Sequence, residues 1–214
     1  MSAIADPSPG RRPPGGYDAV VQDLMRQGWS VNPGFFSASM IQALRTQAGR
    51  LVDRGMFRDA GVGRGATSAI RPDIRGDRIV WLDARRPAPA QAAYLAEMEA
   101  LRRAVNEALY LGLFDYEGHY AVYPTGAWYR RHRDCHHGSN ARRLSCITYL
   151  NAHWREADGG ALRLYQGEGE HEGWRDVYPE GGTLVCFLSE AIEHEVLATR
   201  AERWSITGWF RVRP

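Results

Sequence analysis

Lysine is absent from this 214-residue chain, so all 27 of its cationic side chains are arginine. That absence excludes amine chemistry: there is no Schiff-base nucleophile, no attachment point for pyridoxal phosphate and no lysine for a phosphate-binding loop. Any carboxylate or phosphate the protein grips must be held by guanidinium, hydroxyl or backbone groups. Cysteine is scarce too. Cys135, Cys146 and Cys186 show no CxxC spacing, and the first residues hold no apolar leader segment, so the expectation is a reduced, cytoplasmic protein. No apolar run nears the ~18 residues of a membrane span. A formal charge of +2 suggests neither nucleic acid nor an anionic membrane as partner, and the expectation is that neither is one. No HExxH pair is present either, which sets zinc hydrolysis aside.

What is present suits one full-sized domain. Residues 1–16, rich in Pro and Gly, read as a disordered tail, and the domain runs over 17–214. Its first part, 17–113, is helical: apolar residues recur at helical spacing in YDAVVQDLMRQGW, in SASMIQALRTQAGRLVDRG behind a serine cap, and in PAQAAYLAEMEALRRAVNEALYLGL. Between the last two lies a glycine-rich loop with a short strand-like run. From 117 to 212 the pattern changes to eight short strands, HYAVYP, AWYRRHRD, RRLSCITYLN, ALRLYQ, WRDVYP, GTLVCFLS, EHEVLAT and RWSITGWFRV, separated by turn residues. The expectation is an α+β fold, a jelly roll with the helices packed on one outer face. Arginine and alanine richness points to a GC-rich bacterial genome.

The densest chemistry lies in YRRHRDCHHGSNARR, from Tyr129 to Arg143. If it begins as a strand, period-two geometry turns His132 and Asp134 to one face, about 6.6 Å apart along the strand. Two ligands do not hold a catalytic metal, and the downstream candidates are His136, His137, His153, His171 and His194. His194 stands out, on an apolar-flanked segment with Arg203 on the strand that follows. On that last strand Arg203, Ser205, Thr207 and Trp209 share one face, and Trp204, Ile206 and Phe210 the other. An arginine, two hydroxyls and an aromatic on one face suit a carboxylate pocket. Two histidines and one carboxylate leave a face of an octahedral ion open, as in the non-haem Fe(II) oxygenases.

In chain order, IRGDRIVWLD, YRRHRD, CITYLN, GGALRLY and HEVLATRAERWSITGWF resemble the 2-oxoglutarate- and Fe(II)-dependent prolyl hydroxylases that act on hypoxia-inducible factor. The likeness is greater to their bacterial branch, some members of which hydroxylate elongation factor Tu. The resemblance implies a double-stranded β-helix with His132, Asp134 and His194 as iron ligands and Arg203 as partner of the distal 2-oxoglutarate carboxylate. It makes Tyr149 a donor to that carboxylate, places Thr207 close by, and turns Tyr123 toward the cosubstrate. Arg75, Asp77, Trp81, Tyr129 and Arg142 fall on the substrate side, and the loop from Gly61 to Ser68 becomes a mobile lid. The implied reaction uses Fe(II), 2-oxoglutarate and O2, supported by ascorbate, to give 4-hydroxyproline, succinate and CO2. The implied partner is a protein, elongation factor Tu, and the implied state a monomer.

Two other readings stay open on the residues alone. One keeps the fold and cofactors but takes a small molecule such as free proline. The other is a metal-binding jelly roll without activity. His119, His153 and His171 are left unassigned, as single histidines in β-rich domains usually are. His136 and His137 read as solvent- or substrate-facing, and Cys135 as pointing away from the metal. Taken singly, Arg203 reads as a surface arginine and Tyr149 as a core tyrosine.

Overall fold

The computed structural model describes residues 16–62, 69–134, 141–167 and 173–213. Three helices appear where the periodicity puts them: α1 (Gly16–Gln27), α2 (Ala38–Asp53) and α3 (Pro89–Leu109). Ser37 caps α2 by accepting from Met40 N, and Pro89 opens α3, where a missing N–H costs nothing. Each helix buries one stripe: Val20, Val21 and Leu24; Ile41, Leu44 and Ala48; Tyr94, Met98, Leu101 and Val105. No described helix is long and apolar enough to cross a membrane.

All eight expected strands are found: β6 (Asp115–Tyr123), β7 (Tyr129–His132), β8 (Arg142–Tyr149), β9 (Leu162–Gln166), β10 (Gly173–Val177), β11 (Leu184–Leu188), β12 (His194–Val196) and β13 (Arg203–Arg211). The expected helical stretch 17–113 also supplies strands. These are β1 (Trp29–Asn32), β2 (Arg58–Asp59), β3 (Gly61–Val62), β4 (Ala69–Ile70) and β5 (Arg78–Trp81). A seven-stranded sheet runs β1-β11-β8-β13-β6-β5-β2 and faces a four-stranded sheet β10-β9-β12-β7, while β3 and β4 pair alone.

The alternation of β13 builds two cores. Trp204, Ile206 and Phe210 join the helices in one buried cluster, and the facing residues of β6, β8 and β11 (Tyr120, Val122, Leu144, Cys146, Leu184 and Cys186) complete it. A second cluster, with Tyr123, Ile147, Tyr149, Leu162, Leu164 and Phe187, fills the space between the sheets. The first stripe is interrupted at Gly208, where a Cβ would meet the Tyr116 hydroxyl at 2.3 Å. Cys146 and Cys186 are cross-strand neighbours with sulfurs 3.5 Å apart, and both are free thiols.

Candidate metal centre and cosubstrate pocket

The opposite face of β13 carries the chemistry. Arg203 stands across from Tyr123; Ser205 lies between Ala121 and Tyr149, Thr207 between His119 and Ile147, and Trp209 between Glu117 and Ser145. Arg203, Thr207 and Trp209, with Tyr123, His119 and Ile147 beside them, line one wall of a cavity of about 350 Å³ between the sheets, whose other wall carries His132 and His194.

Strands β7 and β12 bring the histidines together. His194 pairs with His132, but Val196 pairs with Tyr129, so β7 holds one extra residue between the two pairs. Such a bulge re-aims side chains. Tyr129 and His132, which an unbroken strand would turn to opposite faces, stack with ring centroids 3.8 Å apart and 19° between planes. The expected strand through Asp134 stops at His132, and Asp134 lies in a bend just beyond. Its carboxylate is positioned from β8 instead: Ser145 Oγ donates to Oδ2 at 2.6 Å and lies 2.9 Å from Ser189 Oγ.

The Nε2 atoms of His132 and His194 lie 3.6 and 3.7 Å from Asp134 oxygens, and one ligand atom of each residue falls within 4.8 Å of the other two. His132 Nδ1 is 2.7 Å from Arg130 O, and His194 Nδ1 3.3 Å from Ile192 O. A proton on each Nδ1 leaves both Nε2 lone pairs for an ion. Burial, with His132 alongside, holds His194 down at about 4, so it is neutral at physiological pH. Burial alone would raise the Asp134 carboxyl, but His194, His132 and the Ser145 hydroxyl outweigh it and keep it ionised. Two imidazoles and one carboxylate on one side of an open cavity fit a divalent cation with free positions.

Arg203, expected to hold a carboxylate, is 1% exposed. Its Nε donates to Gly160 O at 2.9 Å, and its guanidinium lies 5.0 and 5.1 Å from the Tyr123 and Tyr149 ring centroids. Gly160 sits at φ +66°, and a Cβ there would come within 2.9 Å of Thr199 Oγ1, which accounts for the second glycine of GGALRLY. One Arg203 nitrogen, the Tyr149 hydroxyl and Ser205 Oγ are buried with no hydrogen-bond partner. Burial pushes Tyr149 up to about 12 despite the nearby guanidinium, so the hydroxyl keeps its proton. Buried orphan donors of this kind are costly unless an acceptor completes them. An organic anion reaching from Arg203 toward the histidines fits that gap.

On the substrate side, Arg75, Tyr129, Arg142 and Trp81 line the cavity, and Trp81 is 51% exposed. Asp77 does not reach it. Its buried carboxylate takes two hydrogen bonds from Arg75, at 2.7 and 2.6 Å, so it positions Arg75 and is not itself on the wall. Cys135, His136, His137, His171, the tail up to residue 15 and most of the expected lid lie outside the described residues; the flanks Gly61–Val62 and Ala69–Ile70 pair with each other. His153 is exposed and off the cavity wall.

Two residues of the site were missed by sequence reasoning. Ser145 carried no signal, since its partner Asp134 lies on a different segment. His119 could have been found, because it shares a face with Tyr123 on β6. It is 3% exposed, its ring lies 5.0 Å from Trp81 and 5.5 Å from Trp209, and its Nδ1 has no partner. Burial, reinforced by Arg75 and Arg142, depresses its pKa to about 3. The unfolded chain therefore binds this proton first as pH falls, so the stability contribution is full above about pH 6.5 and is lost toward pH 3 at up to ~1.4 kcal/mol per unit. Urea unfolding of His119→Leu and the parent should show the variant losing about 2 kcal/mol less between roughly pH 6.5 and pH 4.5. Parallel losses would refute the neutral, buried state of His119.

Residues 118–211 match the family model of the 2OG-Fe(II) oxygenase superfamily. The chain is 31% identical over 199 residues to Egl nine homolog 1 of Homo sapiens, covering 89% of this chain and 45% of that protein. Across the curated relatives from human and rat it spans 45% to 64% of their length. A crystal structure of a Pseudomonas putida prolyl-4-hydroxylase superposes with a TM-score of 0.82 at 42% identity, over 92% of this chain and 100% of the other. A Trichoplax adhaerens prolyl hydroxylase in complex with a hypoxia-inducible-factor oxygen degradation domain peptide fragment gives 0.79 at 27% identity, over 91% and 88%. The jelly roll, the His-Asp-His cluster and these likenesses agree: the chain belongs to the 2-oxoglutarate- and Fe(II)-dependent oxygenases, among the prolyl hydroxylases.

Proposed function

We propose that the protein hydroxylates a prolyl residue of a polypeptide at C4, with elongation factor Tu as the substrate, acting as a cytoplasmic monomer. The observation that carries this reading is the buried, incompletely bonded Arg203, which lines the cavity together with His132, Asp134 and His194 and lies beside the Tyr149 ring. When bound, Fe(II), 2-oxoglutarate and O2 supply the oxidant for a C–H bond, with succinate and CO2 released. Residues of this chain do the rest. His132, Asp134 and His194 hold the ion, Ser145 fixes the carboxylate, and Arg203 with Tyr149 grips the far end of the cosubstrate. Trp81, His119 and Trp209 form an aromatic wall that keeps water away and presents a flat face to a pyrrolidine ring.

A polypeptide substrate is favoured by the rim. Gly76 N donates to Trp128 O at 3.0 Å and Arg130 N to Ile74 O at 2.9 Å, so a chain segment is fastened along β7 and extends the cavity into a cleft. Succinate formation in the presence of Fe(II), ascorbate and 2-oxoglutarate is expected to rise with a proline-containing polypeptide and stay at background with free proline. Stimulation by free proline alone would overturn the polypeptide reading.

A further inference from the structure

We propose that the cavity mouth docks an acidic segment, so that the substrate polypeptide carries carboxylate side chains beside its target proline; this rests on the polypeptide reading above. Among the described residues, the cavity wall holds six arginines, Arg75, Arg130, Arg131, Arg133, Arg142 and Arg203, and a single carboxylate, Asp134. Arg203 belongs to the interior. Among the described residues, the ion pairs of the five at the mouth involve three carboxylates. Asp77 is taken by Arg75, while Glu117 is shared by Arg142 at 3.0 Å and Arg211 at 2.9 Å. Glu193 is shared by Arg131 at 2.7 Å and Arg133 at 3.7 Å.

Arg130 has no ion pair among the described residues. It lies over Trp128 at 5.3 Å and is exposed, and the acid it influences, Asp73, already receives two hydrogen bonds from Arg71 at 2.9 and 2.8 Å. Among the described residues, the guanidinia at this opening therefore outnumber the carboxylates bonded to them.

Arginine forks match carboxylates in geometry, and half-engaged guanidinia at a rim steer and orient an acidic partner. The arrangement suits a few carboxylates around a pocket more than the regular phosphates of a nucleic acid, which require an uninterrupted basic stripe.

The test is binding without turnover: fluorescent proline-centred peptides, flanked by Asp and Glu or by isosteric Asn and Gln, titrated with the Fe(II)- and 2-oxoglutarate-loaded enzyme under anaerobic conditions. The acidic peptide is expected to bind about tenfold tighter at low ionic strength, with the difference shrinking to about twofold near 0.5 M salt. Arg130→Glu, at an exposed side chain, is expected to remove most of that preference. Equal affinity for the two peptides, a preference untouched by Arg130→Glu, or displacement by an equal concentration of single-stranded oligonucleotide would overturn the proposal. Admitting air then reads oxygen incorporation separately: an acidic preference without hydroxylation would fault the hydroxylase reading and leave the docking surface standing.

Discussion

Replacing Arg203 with alanine is expected to raise the 2-oxoglutarate requirement by two to three orders of magnitude while leaving Fe(II) affinity within about threefold. Breaking a buried ion pair by removing one partner costs about 3–5 kcal/mol, because the remaining charge is left without a partner in a dry site, and each 1.4 kcal/mol is about tenfold. Arg203 meets those conditions: it is 1% exposed, and one of its nitrogens has no protein acceptor. It does not touch the metal cluster, which is built from β7, the bend at Asp134, and β12. Tyr149→Phe deletes one orphaned donor and is expected to cost about tenfold. Metal titration beside 2-oxoglutarate titration makes the check. Equal losses of metal and cosubstrate would show that Arg203 supports the fold and not the cosubstrate.

Asp134→Ala is expected to abolish turnover and to weaken metal binding by more than about a hundredfold, with Ser145→Ala giving a graded loss of about ten- to a hundredfold. Among the described residues the carboxylate is the anionic member of the cluster, beside two imidazoles, and His194, His132 and the Ser145 hydroxyl hold its pKa low. Ser145→Ala leaves the ligand in place but removes the 2.6 Å hydrogen bond that aims it. Isothermal titration with Fe(II) in the absence of oxygen separates the two variants. If both bound metal like the parent, the cluster would not be the metal centre.

The alternation of β13 made half the site legible in advance, because Arg203, Ser205, Thr207 and Trp209 follow a rule of local geometry. Helix caps and stripes were legible for the same reason. The rest depends on which strands meet. A period-two reading could not put Tyr129 and His132 on one side, since the bulge that does so arises from pairing with β12. It carried β7 on to Asp134, although that carboxylate is placed by β8. WSVN was passed over because four residues between a helix and a proline loop show no pattern, and only the free edge of β11 makes them a strand. The burial of Asp77 beneath Arg75 was not legible either, because burial is set by layers packed from elsewhere.

The most direct test is mass spectrometry of elongation factor Tu after incubation with the protein, Fe(II), ascorbate and 2-oxoglutarate in air. The account predicts one added oxygen on a single proline, succinate formed in step with it, and neither product with Asp134→Ala. An unmodified factor with succinate no higher than in the Asp134→Ala control would contradict it.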